Sequence, residues 1–154
     1  MKNIKLFVMD IDGTLTDGKI YMGENGEICK AFDVKDGFGV NVLLPDNGIK
    51  TAVITGRTSK IAANRAKELH VDFLYQGIKN KLPVLKKLAE ENGISMAEIA
   101  YIGDDLPDIE CMVNSGLKGC PADAVKEVRA ICDFISDKEA GKGAVRDFIE
   151  YIIE

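Results

Sequence analysis

Lys5-Leu6-Phe7-Val8-Met9-Asp10-Ile11-Asp12-Gly13-Thr14-Leu15-Thr16 is the stretch that decides the fold. An apolar run from Ile4 to Met9 reads as a buried strand. A carboxylate stands at its carboxyl end, with a second two residues on and a glycine turn after it. Two acids this close repel each other and neither is buried unpaired, so a positive partner is expected, with a divalent metal as the leading candidate. In an open parallel sheet, the carboxyl ends of strands are also where ligands bind. The alternative for the same letters is a strand closed by an Asx turn.

Outward from this stretch the pattern alternates strand and helix. Lys5 to Asp10 is the first strand. Gly18 to Phe32 reads as a β-hairpin turning at Asn25-Gly26. Gly37 to Leu44 is helical, with Asn47-Gly48 as its stop. Thr51 to Thr55 is a strand, and Ser59 to Leu69 an amphipathic helix with Ile61, Ala62, Ala66 and Leu69 on one face. Phe73 to Tyr75 (strand) and Lys81 to Asn92 (helix) follow, then the strand Ile99 to Gly103. The helix Pro107 to Asn114 starts with proline in its first turn. Leu117 to Cys120, Ala124 to Ile131, Phe134-Ile135 and Ala144 to Ile153 complete the series. The alternation predicts an α/β fold: a doubly wound, Rossmann-like parallel sheet with helices on both faces. The expected organisation is one domain over residues 1–154, with a hairpin flap at about 18–32 and a glycine-rich tail at about 139–154.

With 154 residues, 46% hydrophobic and 29% charged, the chain has the composition of an ordinary globular domain. No apolar run approaches the ~20 residues that span a bilayer. The first residues lead straight into a strand and meet Asp10, which is wrong for a signal peptide and makes a cytoplasmic location the expectation. A net charge of −5 argues against nucleic acid or an acidic membrane as partner. The four cysteines show no C-x-x-C spacing and the single histidine, His70, ends a helical pattern. These argue against a zinc site and against the Ser-His-Asp and Cys-His hydrolases.

Three further strands run into polar chemistry at their carboxyl ends. Ala52-Val53-Ile54 meets Thr55-Gly56-Arg57. Ala100-Tyr101-Ile102 meets Gly103-Asp104-Asp105, with Asp108 one turn later. Phe73-Leu74-Tyr75 meets Gln76-Gly77, and Lys81 opens the next helix. Each has a plain reading as a helix cap or first-turn acid; four at once along one sheet rim suit phosphoryl transfer. Mg²⁺ takes hard oxygen ligands and keeps several waters. Asp10 and Asp104, with a main-chain carbonyl near Asp12, supply a protein share. Lys81, the Thr55 hydroxyl and backbone N–H groups at Gly56 and near Ile11 to Gly13 supply the positive surround. Two rival motifs fail: Gly13 to Lys19 has phosphate-loop spacing, but Ile20 replaces the metal-binding hydroxyl and a hairpin follows. An EF-hand start at Asp10 is broken by Gly13 and Thr14.

The ordered set D-x-D-G-T-L-T (Asp10–Thr16), T-G-R (Thr55–Arg57), Lys81 and G-D-D-x-x-D (Gly103–Asp108) resembles the haloacid dehalogenase-like phosphatases over nearly the whole chain. The resemblance implies that Asp10 is the nucleophile, Asp12 the general acid and base, Thr55 and Lys81 the phosphate holders, and Asp10, Asp12 and Asp104 the Mg²⁺ site. Asp105 and Asp108 would then orient Lys81 and the metal waters. The segments between motifs have no room for a cap domain. The hairpin, Phe32 to Gly37, Gln76-Gly77 and Gly141-Lys-Gly-Ala-Val-Arg146 are similar to the capless sugar-acid phosphatases of that superfamily, which are homotetramers in which hairpins pack together and a neighbour's tail helps close the site. A phosphorylated keto-deoxy sugar acid is the implied substrate, with Thr14, Gly56, Arg57, Arg65 and Arg146 as substrate-binding candidates. Arg57 suits a carboxylate and leans toward an eight-carbon acid over a nine-carbon one. A low-specificity sugar phosphatase and a non-catalytic regulatory module remain the other readings.

Overall fold

Six parallel strands form the sheet of the computed structural model, which describes residues 2–154. They are β1 (Leu6–Met9), β4 (Lys50–Ile54), β5 (Phe73–Tyr75), β6 (Ile99–Ile102), β7 (Leu117–Cys120) and β8 (Phe134–Ile135), in the order β5-β4-β1-β6-β7-β8. All five pairings are parallel. A parallel sheet is covered on both faces, which is why β1 and β6 are buried at every residue and read as unbroken apolar runs. Alternation along β1 divides the core: Phe7 and Met9 enter one cluster, Leu6 and Val8 the other.

On the first face lie α1 (Val34–Phe38), α2 (Leu44–Asp46), α3 (Lys60–Glu68) and α7 (Ala144–Ile153); on the second lie α4 (Lys81–Glu91), α5 (Ile109–Asn114) and α6 (Lys126–Arg129). The antiparallel hairpin β2 (Tyr21–Gly23) and β3 (Gly26–Cys29) stands apart from the main sheet, and among the described residues no cap domain accompanies it. Among the described residues no helix is long and apolar enough to cross a membrane.

Two elements depart from the sequence expectation. The helix expected from Gly37 begins at Val34, because the Asp33 carboxylate caps it by accepting from the Lys35 (2.7 Å) and Asp36 (3.4 Å) amides. Its middle, Gly39–Leu43, widens into a π-helical turn just before Pro45, where a regular ladder would lose a donor and meet the proline ring. The helix expected over Ala124 to Ile131 shrinks to α6, because the Val125 amide is drawn to the Asp104 carbonyl at 3.0 Å.

The helix expected over Ala144 to Ile153 is present as α7, and the glycines before it set its start. Gly141 (φ +73°) packs against the Thr16–Asp17 backbone and Gly143 (φ +101°) begins α7. Val145, Phe148, Ile149 and Ile152 are fully buried, with the Phe148 ring 5.8 Å from Phe7 and 5.5 Å from Phe134. Burying four large side chains stabilises the docked helix by several kcal/mol, on the order of 1.5–3 kcal/mol each.

Candidate active site

The sheet order reverses at β1 and β6, and at that switch point the two strands deliver Asp10 and Asp104 side by side. A cleft of about 440 Å³ opens there, lined by Asp10, Asp12, Thr55, Gly56, Arg57 and Lys81 together with Ile78, Lys79, Asp104, Asp105, Pro107 and Asp108. Four segments remote in sequence thus bring the expected residues to one rim.

At the floor, Lys81 starts α4 with 3% of its side chain exposed; its ammonium lies 2.8 Å from Asp108 Oδ1 and 3.4 Å from Asp10 Oδ1. Asp108 is fully engaged: Oδ1 also accepts from the Tyr101 hydroxyl (2.9 Å), and Oδ2 from the Asp104 (3.1 Å) and Asp105 (3.4 Å) amides. A Cβ at Gly103 would stand 2.5 Å from Asp108 Cγ, so glycine is what lets this carboxylate fold back under the loop. The Ile11 amide and the Thr55 hydroxyl favour the charged form of Asp10.

Three carboxylates face one ammonium, and the electrostatics record the excess. Burial, then the charge of Asp108, push Asp10 up to about 6 against the pull of Lys81. Burial, then Asp10 and Asp108, push Asp104 up to about 8. Burial alone would lower Lys81, but Asp10 and Asp108 more than offset it and hold the ammonium above its ordinary value.

These residues fit a hard divalent cation. Oxygen atoms of Asp10, Asp104 and Asp108 lie within 4.8 Å of one another. Space in front of Asp104 is kept by Gly13 (φ +85°), whose Cβ would come within 2.0 Å of Asp104 Oδ2. Since Asp108 has its oxygens occupied, Asp10 and Asp104 are the two with capacity to spare.

Several candidates sit differently from the sequence expectation. Thr14 is buried and donates to Asp104 Oδ1 at 3.1 Å, so it braces that carboxylate and does not face the cleft. Asp105 is exposed on the rim and caps the turn before α5 by accepting from the Leu106 amide at 2.7 Å. Arg65 and Arg146 lie outside the cleft. Arg65 pairs with Glu68 at 3.2 Å over the Phe32 ring, because its position on α3 faces α1. Arg146 sits in the first turn of α7, pairs with Glu150 at 2.6 Å and stacks over Phe38. Arg57 does reach the cleft, half exposed, 3.9 Å from Asp12 Oδ2 and 3.6 Å from Glu27 Oε2.

Two residues absent from the sequence reading join the site through the hairpin. Lys30 binds the Asp12 carboxylate and lies 2.9 Å from Glu27 Oε2, while Glu27 Oε1 accepts from the Ser59 hydroxyl at 2.7 Å. Nothing in a lysine among 20 basic residues flags this; the hairpin's fold-back onto Asp12 is a tertiary event.

The comparisons agree with this geometry. A family model for haloacid dehalogenase-like hydrolases matches residues 73–149. The 3-deoxy-D-manno-octulosonate 8-phosphate phosphatase KdsC of Salmonella typhi is 41% identical over 152 residues, 99% of this chain and 80% of the relative. The crystal structure of 3-deoxy-D-manno-octulosonate 8-phosphate phosphatase from Moraxella catarrhalis, in complex with magnesium, phosphate and KDO, superposes with a TM-score of 0.94 at 43% identity. It covers 99% of this chain and 87% of that one. The cobalt-bound form of the deoxy-D-mannose-octulosonate 8-phosphate phosphatase (YrbI) from Haemophilus influenzae gives a TM-score of 0.94 at 35% identity, covering 98% of this chain and 88% of that one. With the acids and the lysine gathered at the switch point of a capless sheet, and with relatives this similar along almost its entire length, the chain belongs to the haloacid dehalogenase-like hydrolase family.

Proposed function

We propose that the protein is a Mg²⁺-dependent phosphomonoesterase acting on 3-deoxy-D-manno-octulosonate 8-phosphate. The observation that carries the reading is the Asp10–Lys81–Asp108–Asp104 cluster, present in a chain 43% identical to a phosphatase solved with magnesium, phosphate and KDO. Mg²⁺ held by the Asp10 and Asp104 carboxylates and the Asp12 main-chain carbonyl would neutralise charge on the phosphoryl oxygens.

The chain's own groups then divide the work. Asp10 attacks phosphorus and the sugar alkoxide departs, taking a proton from the Asp12 carboxyl; an aspartyl-phosphate remains on Asp10. Asp12, now a carboxylate, takes a proton from water as that oxygen attacks phosphorus, releasing phosphate and restoring Asp10. Lys81, the Thr55 hydroxyl and the Gly56 amide hold the phosphoryl oxygens, and Asp108 keeps Lys81 in place. Arg57, half exposed at the mouth, suits the sugar acid's carboxylate.

The same reading includes a homotetramer built on the hairpins. Met22 and Ile28 are 63% and 66% exposed, and a two-stranded hairpin is marginal alone in water.

The test is phosphate release from octulosonate 8-phosphate and a nonulosonate 9-phosphate side by side, with Mg²⁺ or with EDTA. A Mg²⁺-dependent kcat/KM preference for the eight-carbon ester, abolished in a folded Asp10→Asn variant, is expected. Preference for the nine-carbon ester overturns the substrate, and turnover by Asp10→Asn overturns the nucleophile.

A further inference from the structure

Lys30 has 1% of its side chain exposed, although lysine is rarely buried in full without partners. Its ammonium sits between two carboxylates, bonded to Asp12 Oδ1 and 2.9 Å from Glu27 Oε2, and those two acids hold it above the ordinary lysine value despite burial. Glu27 is tied in turn to the body of the protein: Ser59 donates its hydroxyl to Glu27 Oε1 (2.7 Å), caps α3 at the Ala62 amide (3.2 Å), and gives its own amide to Gln76 Oε1 (2.9 Å). A continuous run of contacts therefore leads from the start of α3 through Glu27 and Lys30 to one oxygen of Asp12. Arg57 approaches the same two acids, 3.9 Å from Asp12 and 3.6 Å from Glu27, but is half exposed, so its guanidinium also faces the cleft mouth. Lys30 is enclosed and holds one geometry.

We propose that Lys30 is a positioning residue for Asp12, fixing the carboxyl group where it meets the oxygen of the leaving alcohol and so coupling hairpin docking to the proton-transfer step. The inference rests on the phosphomonoesterase reading above. A lysine that only anchored the hairpin would matter equally for every ester. One that positions the acid matters when the leaving group needs a proton and little when it does not.

The experiment compares kcat/KM for octulosonate 8-phosphate, which expels an alkoxide, with 4-nitrophenyl phosphate, which expels a stable phenolate. Lys30→Met is expected to lower the first about 10²-fold and the second less than about fivefold, while Lys30→Arg keeps the ratio near that of the unaltered protein. In an Asp12→Asn background, Lys30→Met is expected to add no further loss on the sugar ester. Equal losses on the two esters, no loss on the sugar ester, or an added loss in the Asp12→Asn background overturns the positioning role. An unaltered chain inactive on both esters takes down the phosphatase reading and this inference with it.

Discussion

Replacing Asp104 by asparagine should make the metal-free protein more stable, and the amount follows from the crowding of acids at the switch point. Burial and the charges of Asp10 and Asp108 push Asp104 from 3.8 up to about 8. A carboxyl group raised in the folded state keeps a proton that the unfolded chain has already released. Its stabilising effect is therefore complete below about pH 4 and is lost as pH rises toward 8. At about 1.4 kcal/mol per pH unit over roughly three units, the ionisable group costs about 4 kcal/mol at pH 7; taking half, to allow for relaxation and water in an open cleft, leaves about 2 kcal/mol. For a chain of this size that is roughly 4–8 °C in Tm.

Asparagine retains an oxygen for the Thr14 hydroxyl and carries no charge, so Asp104→Asn should unfold higher than the unaltered protein in EDTA at pH 7 and show a flatter fall in Tm between pH 5 and 8. Mg²⁺ should reverse the order. It would stabilise the unaltered protein, by about 2.7 kcal/mol at a hundred times its Kd, and leave the variant nearly unmoved. Thermal unfolding at each pH, with EDTA and with Mg²⁺, measures both. A variant no more stable than the parent in EDTA at pH 8, or one with the same pH slope, would refute the reasoning.

Gly13→Ala sets a left-handed backbone against a side chain and drives a methyl group to 2.0 Å from Asp104 Oδ2; a loss of about 1–2 kcal/mol in urea unfolding is expected, with the Mg²⁺-induced rise in Tm gone. Phe148→Ala empties the ring that fills the space over Gly119 between Phe7 and Phe134, and should cost about 3–5 kcal/mol of stability, read by the same urea titration.

The regular part of the fold was legible because its signals are local. Unbroken apolar runs at Leu6–Met9 and Ile99–Ile102 mark strands buried on both faces, and the polar letters after each fall at the carboxyl rim by the direction of a parallel sheet. Asp10, Thr55, Lys81 and Asp104 could be collected from the sequence for that reason. The irregular elements were not legible. The π-helical turn before Pro45 and the short α6 depend on where amides find acceptors, and the acceptor for Val125 is a carbonyl 21 residues away, on Asp104. The helix Ala144–Ile153 was legible in its periodicity, whereas its seat against Phe7 and Phe134 was not.

By itself the sequence determined the alternation of strands and helices, the rim on which the chemistry stands, and the acids and lysine that make it up, since periodicity and strand-end placement are properties of neighbouring residues. Only the tertiary structure decided which partner each charge takes. It sent Lys30 to Asp12, turned Thr14 to Asp104 across 90 residues, left Asp105 as a cap, and kept Arg65 and Arg146 out of the cleft. The physical reason is that a charge needs a counter-charge within a few ångströms, and distances of that size between remote segments are set by packing, which no local pattern encodes.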